Sequence, residues 1–218
     1  MIKTVVFDFD GVIVDSNRLK DEVFFRLFEG DAKIPRGLVA DVLTRNVGTR
    51  VDILRDIFVR AGAAEENIPK LVEESAGRFD ALAREGIAER GLAAGAAETL
   101  TDMAQKFCLY INSATPEEPL HATVAALGIG HHFRAVLGIP PAKNKEENLR
   151  AILSREGIDP LEAVVIGDGE GDWGSARAVG ARFIAVARGF YDWGREPGDF
   201  PVVSHIKEAG ALINTLTV

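Results

Sequence analysis

The chain has one cysteine, Cys108, in 218 residues, so no disulfide can close within it. It has no apolar run approaching 20 residues, which argues against a membrane-spanning helix. Met1 leads straight into a strand-like run, with none of the charged and apolar regions of a secretory signal. A soluble cytoplasmic protein, not bound to membranes, is the expectation. Basic residues are in deficit, 25 Lys and Arg against 33 Asp and Glu, for a formal net charge of -8. Nucleic-acid binders concentrate Lys and Arg, so a phosphate backbone is not the expected partner. There is neither an internal repeat nor a low-complexity tract. What remains is apolar enough for a packed globule, at 47% hydrophobic residues. The length suits one core with a small insert. Monomer and homodimer both stay open.

One stretch organises the rest: Val5-Val6-Phe7-Asp8-Phe9-Asp10-Gly11-Val12-Ile13-Val14-Asp15-Ser16. Val5 to Phe7 read as a buried strand. Asp8 and Asp10 stand two apart, so in extended backbone their side chains point the same way. Two carboxylates this close repel when both are ionised, and such a pair wants a divalent cation, a shared proton, or both. Gly11 lets the backbone turn tightly or approach a ligand closely. The plainer reading is that these acids merely end a strand.

Downstream, apolar residues at helical spacing (Leu19, Val23, Phe24, Leu27 and Phe28) predict a first helix. Further helices are predicted up to about Arg45, over Val51 to Phe58 and over Ile68 to Leu82, with Gly62 and Gly86 as stops. After a Gly- and Ala-rich return at 87–95, strands and helices alternate. The predicted strands are 107–112, 133–137, 163–166 and 182–186, with an edge strand at 201–203. Such alternation predicts an α/β fold with a doubly wound, mostly parallel Rossmann-like sheet. The helical block reads as an insertion, so the expected division is residues 1–16 and 89–218 for the core and 17–88 for an all-helical cap. In doubly wound sheets ligands bind beyond the C-terminal strand ends. Asp8, Ser113 and Asp168 each follow a strand.

The motif Asp8-Phe9-Asp10-Gly11-Val12-Ile13 with Asp15-Ser16 resembles the first motif of the haloacid dehalogenase-like superfamily, most of whose members are phosphatases. The chain is most similar to the branch that contains phosphoglycolate phosphatases and beta-phosphoglucomutases. The resemblance implies that Asp8 attacks phosphorus and that Asp10 works as acid and base. It also gives the Asp10 backbone carbonyl a metal contact. Haloacid dehalogenases proper lack an acid at this position, which argues against dehalogenation here.

Three further pieces follow in the family's order. Ile111-Asn112-Ser113-Ala114-Thr115-Pro116 resembles the second motif, with Ser113 and neighbouring backbone N–H groups, Ala114 among them, on phosphoryl oxygens. Its alternative is a helix start at Thr115-Pro116-Glu117-Glu118. The third piece is a lysine. Lys143 matches one version of the family spacing, but no proline follows it. Asn144 with Glu147 looks like a capping box, which makes Lys145 the first helical residue, and Lys145 is preferred. Val164-Val165-Ile166-Gly167-Asp168-Gly169-Glu170-Gly171-Asp172 resembles the fourth motif. There Asp8 and Asp168 would ligate Mg²⁺, and Asp172 would ligate it or orient the site.

Gly169-Glu170-Gly171-Asp172-Trp173-Gly174 also satisfies G-x-G-x-x-G. A dinucleotide there would face Asp168, Glu170 and Asp172 with no cation to offset them. The resemblance implies that the helical cap closes over the site and selects substrate. Arg50, in Gly48-Thr49-Arg50, is the leading candidate for a distal phosphate, with Arg45 and Lys20 behind it. A solvated arginine at a helix start is the plain alternative. His131-His132 read as surface residues, Cys108 as a buried, inert thiol, and Trp173, Tyr191 and Trp193 as packing at a domain edge.

The expected function is therefore a Mg²⁺-dependent phosphatase acting on a small phosphorylated metabolite through an aspartyl phosphate. A phosphosugar mutase, a non-catalytic ligand-binding relative and a dinucleotide-binding enzyme are the alternatives.

Overall fold

The structure is a computed structural model that describes residues 1–45, 49–139, 144–188, 191–195 and 198–216. Its described residues divide into two compact units, Met1–Asn17 with Ile87–Val218, and Arg18–Gly86.

The first unit is built on a six-stranded sheet. Thr4–Phe7 form β1, buried at every position. Cys108–Asn112 form β2, Ala135–Leu137 β3, Ala163–Gly167 β4, Arg182–Val186 β5 and Val202–Val203 β6. The order is β3-β2-β1-β4-β5-β6, and every pairing is parallel. Parallel strands need crossovers, and the crossing helices cover both faces, which is why these strands are mostly apolar runs rather than alternating. Val6, Tyr110, Val165 and Phe183 share one face with Leu149 and Ile152 of α7 (Lys145–Glu156) and Ala176 of α8 (Glu170–Val179). Helices α5 (Ala96–Ala104) and α9 (Ile206–Leu216) pack on each other and on the sheet. Helix α6 (Glu117–Ala126) packs on β3.

Strand order reverses around β1, which lies between β2 and β4. The chain leaves β1, β2 and β4 at Asp8, Ser113 and Asp168, so three neighbouring strand ends deliver three polar side chains to one edge. This is the topological switch point, where parallel sheets open a crevice.

The second unit contains most of α1 (Asn17–Leu27), α2 (Arg36–Arg45), α3 (Arg50–Arg60) and most of α4 (Ile68–Arg90). Its core includes Val23, Val42, Leu54 and Ile57, each fully buried. Phe24 packs against Phe79 with tilted rings 4.6 Å apart at their centroids, and Phe28 meets Phe58 edge-on at 5.7 Å.

One expectation fails here. The sequence predicts a stop near Gly86, but α4 runs on to Arg90. A Cβ at Gly86 would lie 2.7 Å from Leu19 Cδ1, so this glycine serves close helix packing. The stop is Gly91, whose φ of 73° a residue with a side chain rarely adopts. The return segment is thus helical over its first turn. Among the described residues, no helix is long and apolar enough to cross a membrane.

Candidate active site

Asp8 follows β1 directly, and its backbone N–H donates to the Ile166 carbonyl at 2.8 Å, so the chain is still in register when the acid emerges. The next residues fold back sharply. Gly11 N–H donates to the Val14 carbonyl at 2.8 Å, with φ at Gly11 of 75°. A Cβ there would fall 1.9 Å from Asp168 Oδ2, so glycine is required twice over: for backbone conformation and for room.

Asp168 follows β4. Gly167 before it has the same spatial constraint, since a Cβ would come 2.2 Å from Asp172 Cβ. Asp172 sits in the first turn of α8, where its Oδ2 accepts from the Gly169 N–H at 3.3 Å and caps the helix. Asp8, Asp168 and Asp172 are all buried, and each offers a carboxylate oxygen within 4.8 Å of the others.

Lys145 completes the cluster. The expected capping box is present: Asn144 Oδ1 accepts from the Glu147 N–H at 2.9 Å, and Glu147 Oε2 accepts from the Asn144 N–H at 3.3 Å. That box starts α7 at Lys145. Asn112, the last residue of β2, donates through Nδ2 to the Lys145 carbonyl at 2.8 Å. Asn148 Nδ2 donates to Asn112 Oδ1 at 3.1 Å and to the Gly138 carbonyl at 3.1 Å, tying the helix start to the sheet. Lys145 Nζ then donates to Asp172 Oδ1 at 2.6 Å and lies 2.8 Å from Asp8 Oδ1. A cation at a helix N-terminus is disfavoured by the helix dipole, and these two carboxylates offset that cost.

The electrostatics are unbalanced. One ammonium faces three carboxylates, so two negative charges go uncompensated when all are ionised. At an effective dielectric of about 20, each carboxylate pair at this separation repels by roughly 3 kcal/mol. Burial first, and then Asp172, hold the Asp8 carboxyl well above the usual carboxylate range against the pull of Lys145. Burial likewise pushes Asp168 up to about 6, partly offset by a hydrogen bond from Asn17. Burial alone would lower the Lys145 pKa, but Asp172 and Asp8 outweigh it and keep the ammonium charged.

This donor set fits a hard divalent cation. It is all oxygen, with no His or Cys, and so suits Mg²⁺ or Ca²⁺ rather than zinc. Asp8 Oδ1 is buried without a directional hydrogen bond, even though Lys145 Nζ stands 2.8 Å away.

Asp10 is not one of the three grouped acids, although its charge acts on Asp8 and Asp168. Its carboxylate accepts from Ser16 Oγ on Oδ1, and from Thr115 Oγ1 on Oδ2 at 2.9 Å. Thr115 therefore does not cap α6. Pro116 occupies the cap position, with no side-chain cap bond. Ser113 is fully buried, and its Oγ accepts from the Thr115 N–H at 3.1 Å, while Ala114 beside it is exposed.

Lys143 falls outside the described residues. Arg50 is the first residue of α3 and pairs with Asp80 of α4, and Arg45 pairs with Asp41 at 2.7 Å on the surface. Lys20 lies on α1. His131 and His132 sit in one tight turn with rings 3.9 Å apart. Trp173, Trp193 and Tyr191 join Phe183 and Phe200 in an aromatic cluster. Cys108 is half-buried rather than buried, and burial raises its thiol pKa.

The G-x-G-x-x-G match finds no physical use. A Cβ at Gly171 or Gly174 would meet nothing within 4 Å, so neither glycine is needed for close packing. A carboxylate already occupies the helix N-terminus where a pyrophosphate would sit.

The sequence profile of the haloacid dehalogenase-like hydrolases matches residues 2–180. The chain belongs to that family. Haloacid dehalogenase-like hydrolases with related sequences include a phosphoglycolate phosphatase of Synechococcus elongatus, 27% identical over 193 residues, covering 88% of this chain and 86% of that one. Among solved structures, a protein of Haemophilus somnus 129PT predicted to be a phosphoglycolate phosphatase superposes with a TM-score of 0.76. It is 20% identical, with 100% of this chain and 98% of that one covered. A Thermotoga maritima protein provisionally assigned as a beta-phosphoglucomutase gives a TM-score of 0.73 at 19% identity, over 99% and 100% of the two chains. At these identities the two structures speak to the fold alone. The doubly wound α/β architecture read from the sequence is the family's fold.

The sequence reading missed Asn17, Asn112, Thr115 and Asn148, which hold the named residues in place. Asn112 and Thr115 flank Ser113 in the quoted motif, so their position was available as a signal. For Asn148 the only hint was a polar residue on the buried face of an amphipathic helix.

Proposed function

We propose that this protein is a divalent-cation-dependent phosphohydrolase acting on a small phosphorylated metabolite of the phosphoglycolate class. One observation carries the reading: a buried lysine lies between Asp8 and Asp172, with Asp168 in the same cluster and negative charge left over. Such a cluster suits a phosphoryl group and a cation together. The related phosphoglycolate phosphatase supports the substrate class.

In this reading Asp8 attacks phosphorus as its bond to the ester oxygen breaks. Asp10 gives its proton to that leaving oxygen. As a carboxylate it then takes a proton from water, whose oxygen attacks the aspartyl phosphate and frees Asp8 and orthophosphate. Ser16 and Thr115 hold Asp10 through one oxygen each and fix its direction. Ser113 and Lys145 hold phosphoryl oxygens, together with the N–H of Ala114 and close backbone approach at Gly11. Asp8, Asp168 and the Asp10 carbonyl would hold Mg²⁺, which supplies charge neutralisation at the phosphoryl oxygens when bound. Asp172 has one oxygen on Lys145 and one on the Gly169 N–H, so its main part is to anchor the lysine.

Phosphate release across a panel of small phosphoesters, with and without Mg²⁺, tests this. Release from 2-phosphoglycolate that needs Mg²⁺ and is lost in Asp8→Asn is expected. Interconversion of sugar phosphates primed by a bisphosphate, without net phosphate release, would replace it with the mutase reading.

A further inference from the structure

Asn17 is the first residue of α1 and belongs to the unit that carries the sheet. Its Nδ2 donates to Asp168 Oδ2 at 2.6 Å, although 151 residues separate the two in sequence. The contact is built into the local packing. A Cβ at Gly11 would lie 1.9 Å from Asp168 Oδ2 and 2.6 Å from Asn17 Nδ2, so the pair occupies space that Gly11 leaves open. Asp168 is 8% exposed, which leaves water little part in orienting its carboxylate.

We infer that Asn17 is a positioning residue for the cation site: its amide fixes the rotation of the Asp168 carboxylate, so that this ligand is held in place before a cation arrives. The inference rests on the proposed cation site. A carboxylate on a single Cβ–Cγ bond turns freely unless something holds one oxygen, and an amide N–H does so without adding charge. Mg²⁺ demands near-ideal octahedral geometry, so a ligand free to rotate weakens its binding more than the loss of one neutral hydrogen bond suggests. Asn17 also begins the helix that runs on into the second unit, so the chain's exit from the sheet unit is fastened to the site by the same bond.

Calorimetric titration of MgCl₂ into the chelator-treated full-length protein tests this, using the native chain, Asn17→Leu, Asn17→Ala, Asp168→Asn and Asn17→Leu with Asp168→Asn. Leu keeps the bulk of Asn without its donor, and Ala removes both. Both single Asn17 variants are expected to weaken Mg²⁺ binding by about 10- to 100-fold, with the metal-free melting temperature nearly unchanged. In the Asp168→Asn background, Asn17→Leu should add no further loss. Native-like affinity in both Asn17 variants would overturn the role, and so would an equal loss with and without Asp168. Failure of both variants to fold would also overturn it, since Asn17 would then serve the fold. A native chain that binds no Mg²⁺ refutes the cation site itself, and that result is read before any variant is compared.

Discussion

Arg50 and Lys145 are both largely shielded from water, and their surroundings differ. Arg50 in the helical unit has one carboxylate partner, Asp80, and the pair is about one-fifth exposed. Charge there is balanced. Lys145 in the sheet unit has two carboxylates on its ammonium and a third within the same cluster, with its own side chain 10% exposed. Charge there is left over. A closed pair holds structure together. A cluster with surplus negative charge, buried at the ends of parallel strands, leaves room for a cation in its charge balance. The contrast separates a balanced pair from the candidate site without reference to relatives.

The sharpest way to break the comparison is to remove members of the cluster with surplus charge. Asp8→Asn should keep the fold and cut phosphate release by about 10³-fold or more, because the proposed nucleophile is gone. Retained release would remove Asp8 from its role. Lys145→Ala should cost about 10²- to 10³-fold, since it takes a preorganised charge from the proposed phosphoryl site. Lys143→Ala should cost far less, and the reverse ranking would move the phosphate-binding lysine to Lys143.

The surplus charge should also show in stability. Asp168 is held near 6 in the fold against 3.8 for a free side chain, so between these values the folded protein binds the extra proton. Its contribution is complete below about pH 3.8 and is lost as pH rises through 6. The full change is about 3 kcal/mol. Lys145, raised in the fold, contributes a constant amount below its free-chain pKa, whereas Asp8, also raised, adds a change of the same sign to the native chain's profile. In urea melts of chelated protein, Asp168→Asn should therefore gain on the native chain as pH goes from 4.5 to 7.5. Mg²⁺ should reverse that gain at pH 7.5. A pH-independent gap would mean that Asp168 sits in the fold without strain.

Most of the fold was legible in the sequence, because its signals are local. Buried parallel strands are short apolar runs, and their ends are marked by Asp8, Ser113 and Asp168. The start of α7 was legible in Asn144 and Glu147, which cap each other. What failed was Gly86, where a glycine needed for helix–helix contact looks the same in sequence as one that ends a helix. The candidate site divides likewise. Its acids and its lysine announce themselves by type and spacing. The Asn17–Asp168 and Asn112–Asn148 bonds join residues far apart in the chain, and an asparagine carries no mark of which distant group it will meet. Arg50 shows another limit: a basic residue in a suggestive motif has an internal partner, Asp80, 30 residues on, which its local sequence does not announce.

That pair sets the smallest effect expected. Burial lowers the Arg50 pKa, and its Nε is buried without a hydrogen-bond partner, so the guanidinium stays charged at some cost and depends on Asp80. Asp80→Ala should leave that charge uncompensated and cost about 2 kcal/mol, less than for a fully buried pair because both side chains touch water. Arg50→Ala should cost a similar amount by stranding the acid. Combining Arg50→Ala with Asp80→Ala should cost less than the two single losses added together, because no lone charge is left behind. Chemical denaturation of the four proteins closes the cycle. Additive losses would mean that the two residues stabilise the helical unit separately, and the contrast with Lys145 would then lose its closed member.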